Sequence, residues 1–232
     1  MRPSLRARVG SLVTSLPRSF WLLWAGTLVN RLGGFVVPFL SLYLTSQRGL
    51  PVSQAALMVS LFGAGSFVSA LFGGALADRW GRRPVMLVSF LVAPVNLLAL
   101  GLARSVAPIA VLTFTQGLLT DLYRPAVNAA VADLLPAEDR PRAYGYLYWA
   151  INLGFALAPT LAGLLARLEY FALFVGDAAT TALFGVIILW GVRETRPAAP
   201  TSNLRAEPIP HLRRLADEPL MPAFALLALL LG

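Results

Sequence analysis

Long apolar runs separated by short polar segments dominate this chain. Six of the runs are long enough to cross the roughly 30 Å of hydrocarbon in a bilayer, which takes about 20 helical residues. Polar and apolar residues do not alternate within them as they would in the strands of a barrel, so the runs predict membrane-spanning helices. The predicted spans are 20–44, 55–77, 84–102, 107–134, 143–168 and 170–192.

The same pattern divides the chain into three segments. Residues 1–192 are predicted to form a six-helix transmembrane bundle, and residues 193–218 turn polar and contain four prolines, a composition typical of a linker. Residues 219–232 turn apolar again. At 1.5 Å per residue they reach only about 21 Å, which is too short to cross a bilayer. We therefore interpret them as the interrupted start of a seventh helix.

The composition supports a lipid environment and excludes several kinds of chemistry. Hydrophobic residues make up 57% of the chain, mean hydropathy is +0.71, and only 13% of residues are charged. The sequence has no cysteine and no lysine, which excludes thiolate nucleophiles, Schiff bases and the lysine of a Walker A loop within it. His211 is the single histidine. These observations predict a protein that is not an enzyme and that needs neither a metal nor a cofactor.

The arginines are distributed unevenly between the two sides of the predicted bundle. Fourteen of the nineteen lie in the N-terminal tail, in the second-to-third and fourth-to-fifth loops, and after span six, whereas three lie in the opposite loops. By the positive-inside rule, both ends of the bundle are predicted to be cytoplasmic in a multi-pass protein of the cell membrane. The net charge of +8 is therefore interpreted as a topology signal and not as a nucleic-acid patch.

A conspicuous motif occupies the loop between spans two and three, and an acid of span four lies at the same end. Arg82 and Arg83 are expected to pair with acids such as Asp133, although any short inside loop also carries arginines for topology alone. The motif resembles motif A of the major facilitator superfamily, G-x-x-x-D-R-x-G-R-R, at every signature position. In that family, this loop is a cytoplasmic latch that stabilises the outward-open state. The matching residues are Gly74, Asp78, Arg79, Gly81, Arg82 and Arg83.

Span five carries a second, partial motif. It resembles motif C of the drug–proton antiporters of the same superfamily, G-x-x-x-G-P-x-x-x-G, with alanine in place of the second glycine. Small residues spaced four apart also favour close helix packing, so an ordinary packing role stays open beside an antiporter role. A similar stripe of Gly65, Ser69, Gly73 and Ala77 lies on span two. The motif C positions are Gly154, Ala158, Pro159 and Gly163.

The resemblance implies a fold for the whole chain. It indicates an all-α membrane protein, the N-terminal half of the superfamily fold, in which spans 1–3 and 4–6 form two inverted three-helix repeats. A complete member has twelve spans. The resemblance therefore also implies that the C-terminal half of the same protein is missing from this sequence.

Ionisable residues inside the spans are candidates for the functional site, because a charge in hydrocarbon is costly unless it is paired or hydrated. Spacing places three polar residues on one face of span four, and two more lie near the centre of span one. In the family, both spans line the central cavity. The predicted cluster is Asn30, Arg31, Asp121, Arg124 and Asn128. A static ion pair of Asp121 with Arg124 or Arg31, which only holds helices together, is the alternative.

Three further polar residues are weaker cavity candidates. Asp177 lies about seven residues into span six and is expected either to face the cavity or to sit near the outer interface. Tyr148 and Asn152 share one face of span five. All three are included among the residues predicted to line the cavity.

These features predict secondary active transport of small organic solutes by alternating access, with proton-coupled efflux as the first hypothesis. The expected partners are the lipid bilayer, a small-molecule substrate and protons, and no nucleic acid. Two alternatives stay open. One is proton-coupled uptake of an anionic metabolite, suggested by two buried arginines against one aspartate. The other is an inactive or partner-binding half-transporter, suggested by the end of the sequence at Gly232.

Overall fold

The computed structural model describes residues 16–197, except for the side chain of Leu168. The predicted seventh helix, 219–232, lies outside the described residues, as do most of the predicted linker and the first fifteen residues. Seven helices occupy the described range: α1 (Arg18–Leu32), α2 (Val36–Ser46), α3 (Val52–Trp80), α4 (Arg82–Leu102), α5 (Val106–Leu134), α6 (Arg140–Leu168) and α7 (Phe171–Gly191).

The prediction of six membrane-spanning helices is confirmed. Six segments of the described chain are long and apolar enough to cross a membrane, with α1 and α2 together forming the first. Every predicted edge lies within three residues of a helix end in the structure. The connections are short, so consecutive spans run in opposite directions and their ends fall into two layers.

The first span, predicted over 20–44, is broken between α1 and α2, although the two helices together form one candidate membrane span. Gly33 and Gly34 sit at the break, and glycine is a poor helix former. Pro38 lies four residues after Gly34, where its ring removes one helical hydrogen bond and clashes with the Gly34 carbonyl in a continuous helix. In the structure, Pro38 falls in the first turn of α2, where the missing N–H has no helical partner to lose.

Spans two and four pack at close range because glycines face each other across the crossing. A Cβ atom added at Gly65 of α3 would lie 2.1 Å from the Phe114 carbonyl oxygen, and one at Gly117 of α5 would lie 2.0 Å from the Phe62 oxygen. Ser66 adds a hydroxyl hydrogen bond to the Gly117 oxygen at 3.3 Å. The small-residue stripe of span two is thus a helix-packing surface.

A single residue joins α3 to α4. Gly81 has φ of 106° and ψ of 159°, a conformation that side chains with a Cβ rarely adopt. A Cβ at Gly81 would also lie 2.5 Å from the Glu194 Oε2 atom. This position of motif A therefore requires glycine for both its backbone angle and its close neighbour.

Two large apolar clusters lie toward the two ends of the bundle, and a third, smaller cluster joins Phe35, Ala162 and Leu173. The first surrounds Phe20, Phe90 and Phe184 near the α3–α4 turn, and the second surrounds Tyr43 and Phe174 near the opposite ends of α2 and α7. Both clusters draw residues from several helices, so each ties distant parts of the chain together. Between them lies the cavity described below.

We predict that Gly65→Ala destabilises the protein, whereas Gly63→Ala does not. The new methyl group at residue 65 must push α3 away from α5, whereas nothing lies within 4 Å of a Cβ at residue 63. Overpacking of this kind costs about 1–3 kcal/mol. Thermal unfolding of the detergent-solubilised protein measures the difference. Equal melting temperatures for the two variants would contradict the close crossing.

Candidate functional site

A cavity of about 190 Å³ lies between the two apolar clusters. Two residues of α4 line this cavity, Phe90 from the cluster near the α3–α4 turn and Leu97 from the cluster at the other end of the bundle. Residues from α1, α2, α3, α4, α5, α6 and α7 line it, so it lies at the centre of the described bundle. Four charged side chains reach this wall: Arg31, Asp121, Arg124 and Asp177.

Asp121 and Arg124 form an ion pair within α5. The Arg124 Nε atom lies 2.7 Å from the Asp121 Oδ1 atom, and the side chains are 18% and 50% exposed for the acid and the base, respectively. Their spacing of three residues places them side by side on the helix. The structure thus contains one of the two pairs considered from the sequence, and this pair borders the cavity.

Arg31 lies between two aromatic rings instead of beside an acid. Its guanidinium carbon is 5.8 Å from the centre of the Tyr123 ring and 5.3 Å from that of Phe155, distances at which a cation is attracted to an aromatic face. Its Nε atom is buried and has no hydrogen-bond acceptor among the described residues. The aromatic faces therefore contribute to the stabilisation of this charge.

Asp177 is buried, with 8% of its surface exposed, and it contacts the break in the first span. Its Oδ2 atom accepts hydrogen bonds from the backbone N–H groups of Phe35 and Val36, both at 3.1 Å. The Thr181 hydroxyl donates to the Oδ1 atom at 3.4 Å and accepts from the Asn30 amide at 2.9 Å. Of the two placements expected for Asp177, the structure shows the cavity wall.

Gln116 and Thr120 add neutral polar groups to the wall, and Asn96 of α4 bonds to Gln116. The roles of these residues were missed in the sequence. The Asn96 amide donates to the Gln116 Oε1 atom at 2.7 Å and to the Leu112 oxygen at 2.9 Å, and the Gln116 amide donates to the Thr120 hydroxyl at 3.2 Å. Asn96 is buried and lies on α4, within an otherwise apolar span. A buried amide in such a span was the available signal for this network.

Asn128 lies in a second cavity, of about 170 Å³, that shares Arg31, Tyr123, Arg124 and Phe155 with the first. The Asn128 carbonyl oxygen accepts a hydrogen bond from the Tyr144 hydroxyl at 2.9 Å. Four of the five residues predicted to cluster, Asn30, Arg31, Asp121 and Arg124, thus border one cavity, and Asn128 borders the adjoining one.

Tyr148 and Asn152 are not brought to either cavity. They line a separate shallow pocket together with Trp149 and Leu153. Tyr148 is 69% exposed, and the Asn152 amide donates to the Tyr148 carbonyl oxygen of its own helix at 2.7 Å. Their side chains point outward because both residues lie on the face of α6 opposite the packed stripe that contains Gly154 and Ala158.

That packed stripe contains the first half of the motif C-like sequence. A Cβ at Gly154 would lie 2.3 Å from the Arg31 Cβ atom, so this glycine allows α6 to approach α1 at Arg31. Ala158 is 3% exposed and continues the contact. Pro159 is exposed, and nothing lies within 4 Å of a Cβ at Gly163. The packing role thus rests on Gly154 and Ala158.

A second charged site lies at the α3–α4 turn, and we call it the motif A corner: residues 78–83, Asp133 and residues 194–196. Arg82 is at its centre. Its Nε atom lies 2.9 Å from the Asp133 Oδ2 atom, and its Nη1 atom lies 2.9 Å from the Asp78 Oδ1 atom. The expected pairing with Asp133 is present for Arg82, whereas Arg83 donates to the Leu189 oxygen at 2.8 Å.

Glu194 also belongs to the motif A corner, although the sequence places it in the predicted linker. Its carboxylate accepts backbone N–H bonds from Arg82 at 3.0 Å and from Arg83 at 3.1 Å, which caps the N-terminus of α4. Burial opposes its ionisation, but the backbone hydrogen bonds from Arg196, Arg82, Arg83 and Thr195 together hold its pKa below the ordinary value. The compact unit accordingly extends to Arg196.

The remaining motif A residues support this corner differently. The Arg79 carbonyl oxygen accepts a hydrogen bond from the Arg196 Nη1 atom at 2.7 Å. Nothing lies within 4 Å of a Cβ at Gly74 among the described residues. Within residues 16–197, no group of three or more His, Cys, Asp or Glu side chains is placed to hold a metal ion.

The six-span bundle, the charged central cavity and the ion-paired corner define a multi-pass α-helical membrane protein. The chain belongs to the major facilitator superfamily, whose family model matches residues 23–232. The expected family and fold class are thereby confirmed.

Two curated bacterial relatives resemble the chain at modest identity. The uncharacterized MFS-type transporter YqjV of Bacillus subtilis is 26% identical over 169 residues, which cover 72% of this chain and 41% of the relative. The quinolone resistance protein NorA of Staphylococcus aureus is 26% identical over 137 residues, which cover 59% of this chain and 35% of the relative. The chain thus spans less than half the length of either relative.

Solved transporter structures share the fold. A POT family transporter in complex with a thioalcohol-conjugated peptide superposes with a TM-score of 0.69 at 20% identity, covering 94% of this chain and 49% of that one. The human organic anion transporter MFSD10 (TETRAN) gives a TM-score of 0.62 at 24% identity, covering 78% and 48% of the two chains. At these identities the likeness concerns the fold alone.

We predict that Glu194→Gln increases hydrogen exchange at the Arg82 and Arg83 amides several-fold at neutral pH. The change removes the charge that these N–H groups bind and turns one acceptor oxygen into a donor. Protection factors from hydrogen–deuterium exchange measure the effect. Glu138→Gln, an exposed acid at the same end of the bundle, is the control. Unchanged protection in Glu194→Gln would contradict the cap.

The same cap predicts a pH dependence in the unmodified protein. Because the folded pKa of Glu194 is lowered, its stabilisation is complete above the ordinary carboxyl pKa of about 4.3. The stabilisation is lost as the pH falls through the lower, folded value. Protection at Arg82 and Arg83 should therefore fall below about pH 4.3, and this fall should be absent in Glu194→Gln.

Proposed function

We propose that the whole protein is a secondary active transporter of small organic solutes that works by alternating access, with proton-coupled efflux as its direction. The observation that carries this proposal is the pairing of acidic and basic side chains at the wall of a central cavity. Charges are kept at such a depth in a membrane where they serve a substrate or an ion pathway. The motif A corner faces the cytoplasm in this proposal, as the arginine distribution indicates, and the membrane is the cell membrane.

The lining of the cavity favours amphipathic substrates. Two carboxylates and two guanidinium groups reach its wall, so the charges balance when all four are ionised. The excess of buried arginine that suggested an anionic metabolite is therefore balanced by Asp177. Much of the remaining wall is aromatic, with Phe62, Phe90 and Phe155. A partly aromatic, weakly charged solute fits these surroundings better than a small anion.

In this proposal, Asp121 links substrate to proton. A substrate that draws Arg124 away leaves the Asp121 carboxylate without its counter-charge, and loss of an opposite charge favours the protonated form. Proton binding in turn frees Arg124. Arg124 is half exposed, so it is able to reorient toward the cavity. Substrate and proton then compete through one ion pair, which is the condition for exchange of one against the other.

Alternating access needs a second wall that moves against this bundle. The relatives are more than twice as long as the matched segment, and we propose that a second six-helix half of the whole protein supplies that wall. The exposed Tyr148 and Asn152 belong to the side of α6 that such a half would cover. The name of the relative NorA, a quinolone resistance protein, supports export as the direction.

We predict that Asp121→Asn lowers proton-driven transport at least tenfold, because the amide cannot exchange a proton with the cavity. The assay follows accumulation of ethidium, an aromatic amphiphile, in inside-out vesicles that contain the whole protein and carry an acid-inside pH gradient. Asp139→Asn, the same substitution at the start of α6, is the matched control and should retain the wild-type rate.

Each result bears on a different part of the proposal. A wild-type rate in Asp121→Asn removes Asp121 from coupling. Ethidium accumulation that ignores the pH gradient in the wild type removes proton coupling altogether. Absence of accumulation in the wild type contradicts the amphipathic substrate class.

A further inference from the structure

Asp177 has a bonding pattern that a substrate site does not require. One oxygen of this buried carboxylate accepts hydrogen bonds from the backbone N–H groups of Phe35 and Val36, where the chain enters α2 after the break. In a continuous helix these groups would bond to carbonyl oxygens one turn earlier. The carboxylate therefore replaces the backbone acceptor of the Val36 N–H, and it shares the Phe35 N–H with the Gly33 carbonyl oxygen, which lies 2.7 Å from the Phe35 nitrogen.

The strength of these bonds depends on the charge of the acid. An ionised carboxylate makes hydrogen bonds roughly twice as strong as a neutral acceptor does, and it is also favoured at the positive end of the α2 helix dipole. A neutral acid loses both advantages. Protonation of Asp177 is therefore expected to loosen the first turn of α2, where Val37 also lies.

The break is also seated on α7 by close packing around Asp177. A Cβ at Gly33 would lie 1.8 Å from the Thr180 Oγ1 atom, and one at Gly176 would lie 3.0 Å from the Phe35 ring. Asn30, near the end of α1, reaches Asp177 through the Thr181 hydroxyl. Both sides of the break are thus tied to one turn of α7.

Most of the other groups that face Asp177 carry no charge, so few charged groups influence its ionisation. Arg31 of α1 is the charged side chain of the described residues that acts on Asp177 through space. From α2 the facing groups are backbone N–H groups, and from α7 the facing group is the neutral Thr181. The nearby cavity wall from α4 and α6 is neutral, with Ser89, Phe90 and Phe155 among its residues.

We propose that Asp177 is a proton-binding site, and that its proton occupancy sets the geometry of the break between α1 and α2. The ionised form holds the break closed on α7. The protonated form releases the first turn of α2 and, through Asn30 and Arg31, changes the shape of the cavity. The place of this site in a transport cycle rests on the proposed function, whereas the coupling of proton to break does not.

The test uses a cysteine at Val37, which is 42% exposed and lies at the cavity wall in the first turn of α2. The chain contains no cysteine, so any thiols elsewhere in the whole protein are the ones to be replaced first. The rate of maleimide labelling of Val37→Cys is measured from pH 5 to pH 9 in the detergent-solubilised whole protein. Labelling of Val52→Cys, at a residue that is 74% exposed in α3, corrects for ionisation of the thiol itself.

The corrected rate should rise several-fold as the pH falls. In Asp177→Asn it should stay at the fast value at every pH, whereas Asp139→Asn, at the start of α6, should keep the wild-type profile. A flat profile in the wild type, or a wild-type profile in Asp177→Asn, overturns the proposal. Because labelling needs no substrate or gradient, this outcome is separate from failure of the transport assay.

A second pair of variants tests the same seat without changing a charge, in case Asp177→Asn does not fold. Gly33→Ala places a methyl group against Thr180 and should give fast labelling of Val37→Cys at neutral pH. Gly34→Ala is the matched control, since a Cβ there meets its nearest atom, the Arg31 oxygen, at 3.5 Å. Equal labelling in the two variants would show that the break is not held on α7, and the proposal would fail.

Discussion

A backbone group inside a bilayer needs an acceptor that the protein itself supplies, and this constraint governs the centre of the molecule. The first span is broken where Gly33, Gly34 and Pro38 disfavour a continuous helix. The freed N–H groups would be costly in hydrocarbon without a partner. Asp177 of α7 supplies the partner of the Val36 N–H and shares the Phe35 N–H with the Gly33 oxygen, so the path of the first span depends on a residue 141 positions later in the chain.

The arrangement of the cavity follows from that contact. Because the break is fixed on α7, the last turn of α1 places Asn30 and Arg31 at the same depth as the Asp121–Arg124 pair of α5. Gly154 allows α6 to approach the Arg31 backbone from the other side. Four charged groups thus meet at one cavity, although they come from three helices that are far apart in sequence.

Much of this fold could be predicted from the sequence because lipid imposes simple rules. Length and hydropathy gave six helices, and the stripe of small residues gave the close crossing at Gly65. The local spacing of Asp121 and Arg124 gave the ion pair within α5. Each of these predictions rests on contacts within one helix or on the composition of one face.

What could not be predicted depends on contacts between distant segments. Asp177 was one candidate among several, because nothing in span six shows that a broken helix lies opposite it. Glu194 was assigned to a linker by composition, although its carboxylate caps α4. The break itself had a local signal in Gly33, Gly34 and Pro38. Three other prolines, Pro94, Pro125 and Pro159, lie within continuous helices, so a proline such as Pro38 does not by itself identify a break.

The attachment of residues 194–196 to the motif A corner has a mechanical consequence. The chain leaves α7 at Gly191, yet within the described residues it is still bonded to the bundle at Arg196, whose Nη1 atom donates to the Arg79 carbonyl oxygen. A pull on the chain beyond Arg196 is therefore transmitted first to the corner between α3 and α4, and only afterwards to α7. Residues 194–196 therefore couple tension in the chain to the turn at Gly81, where a single residue connects two spans.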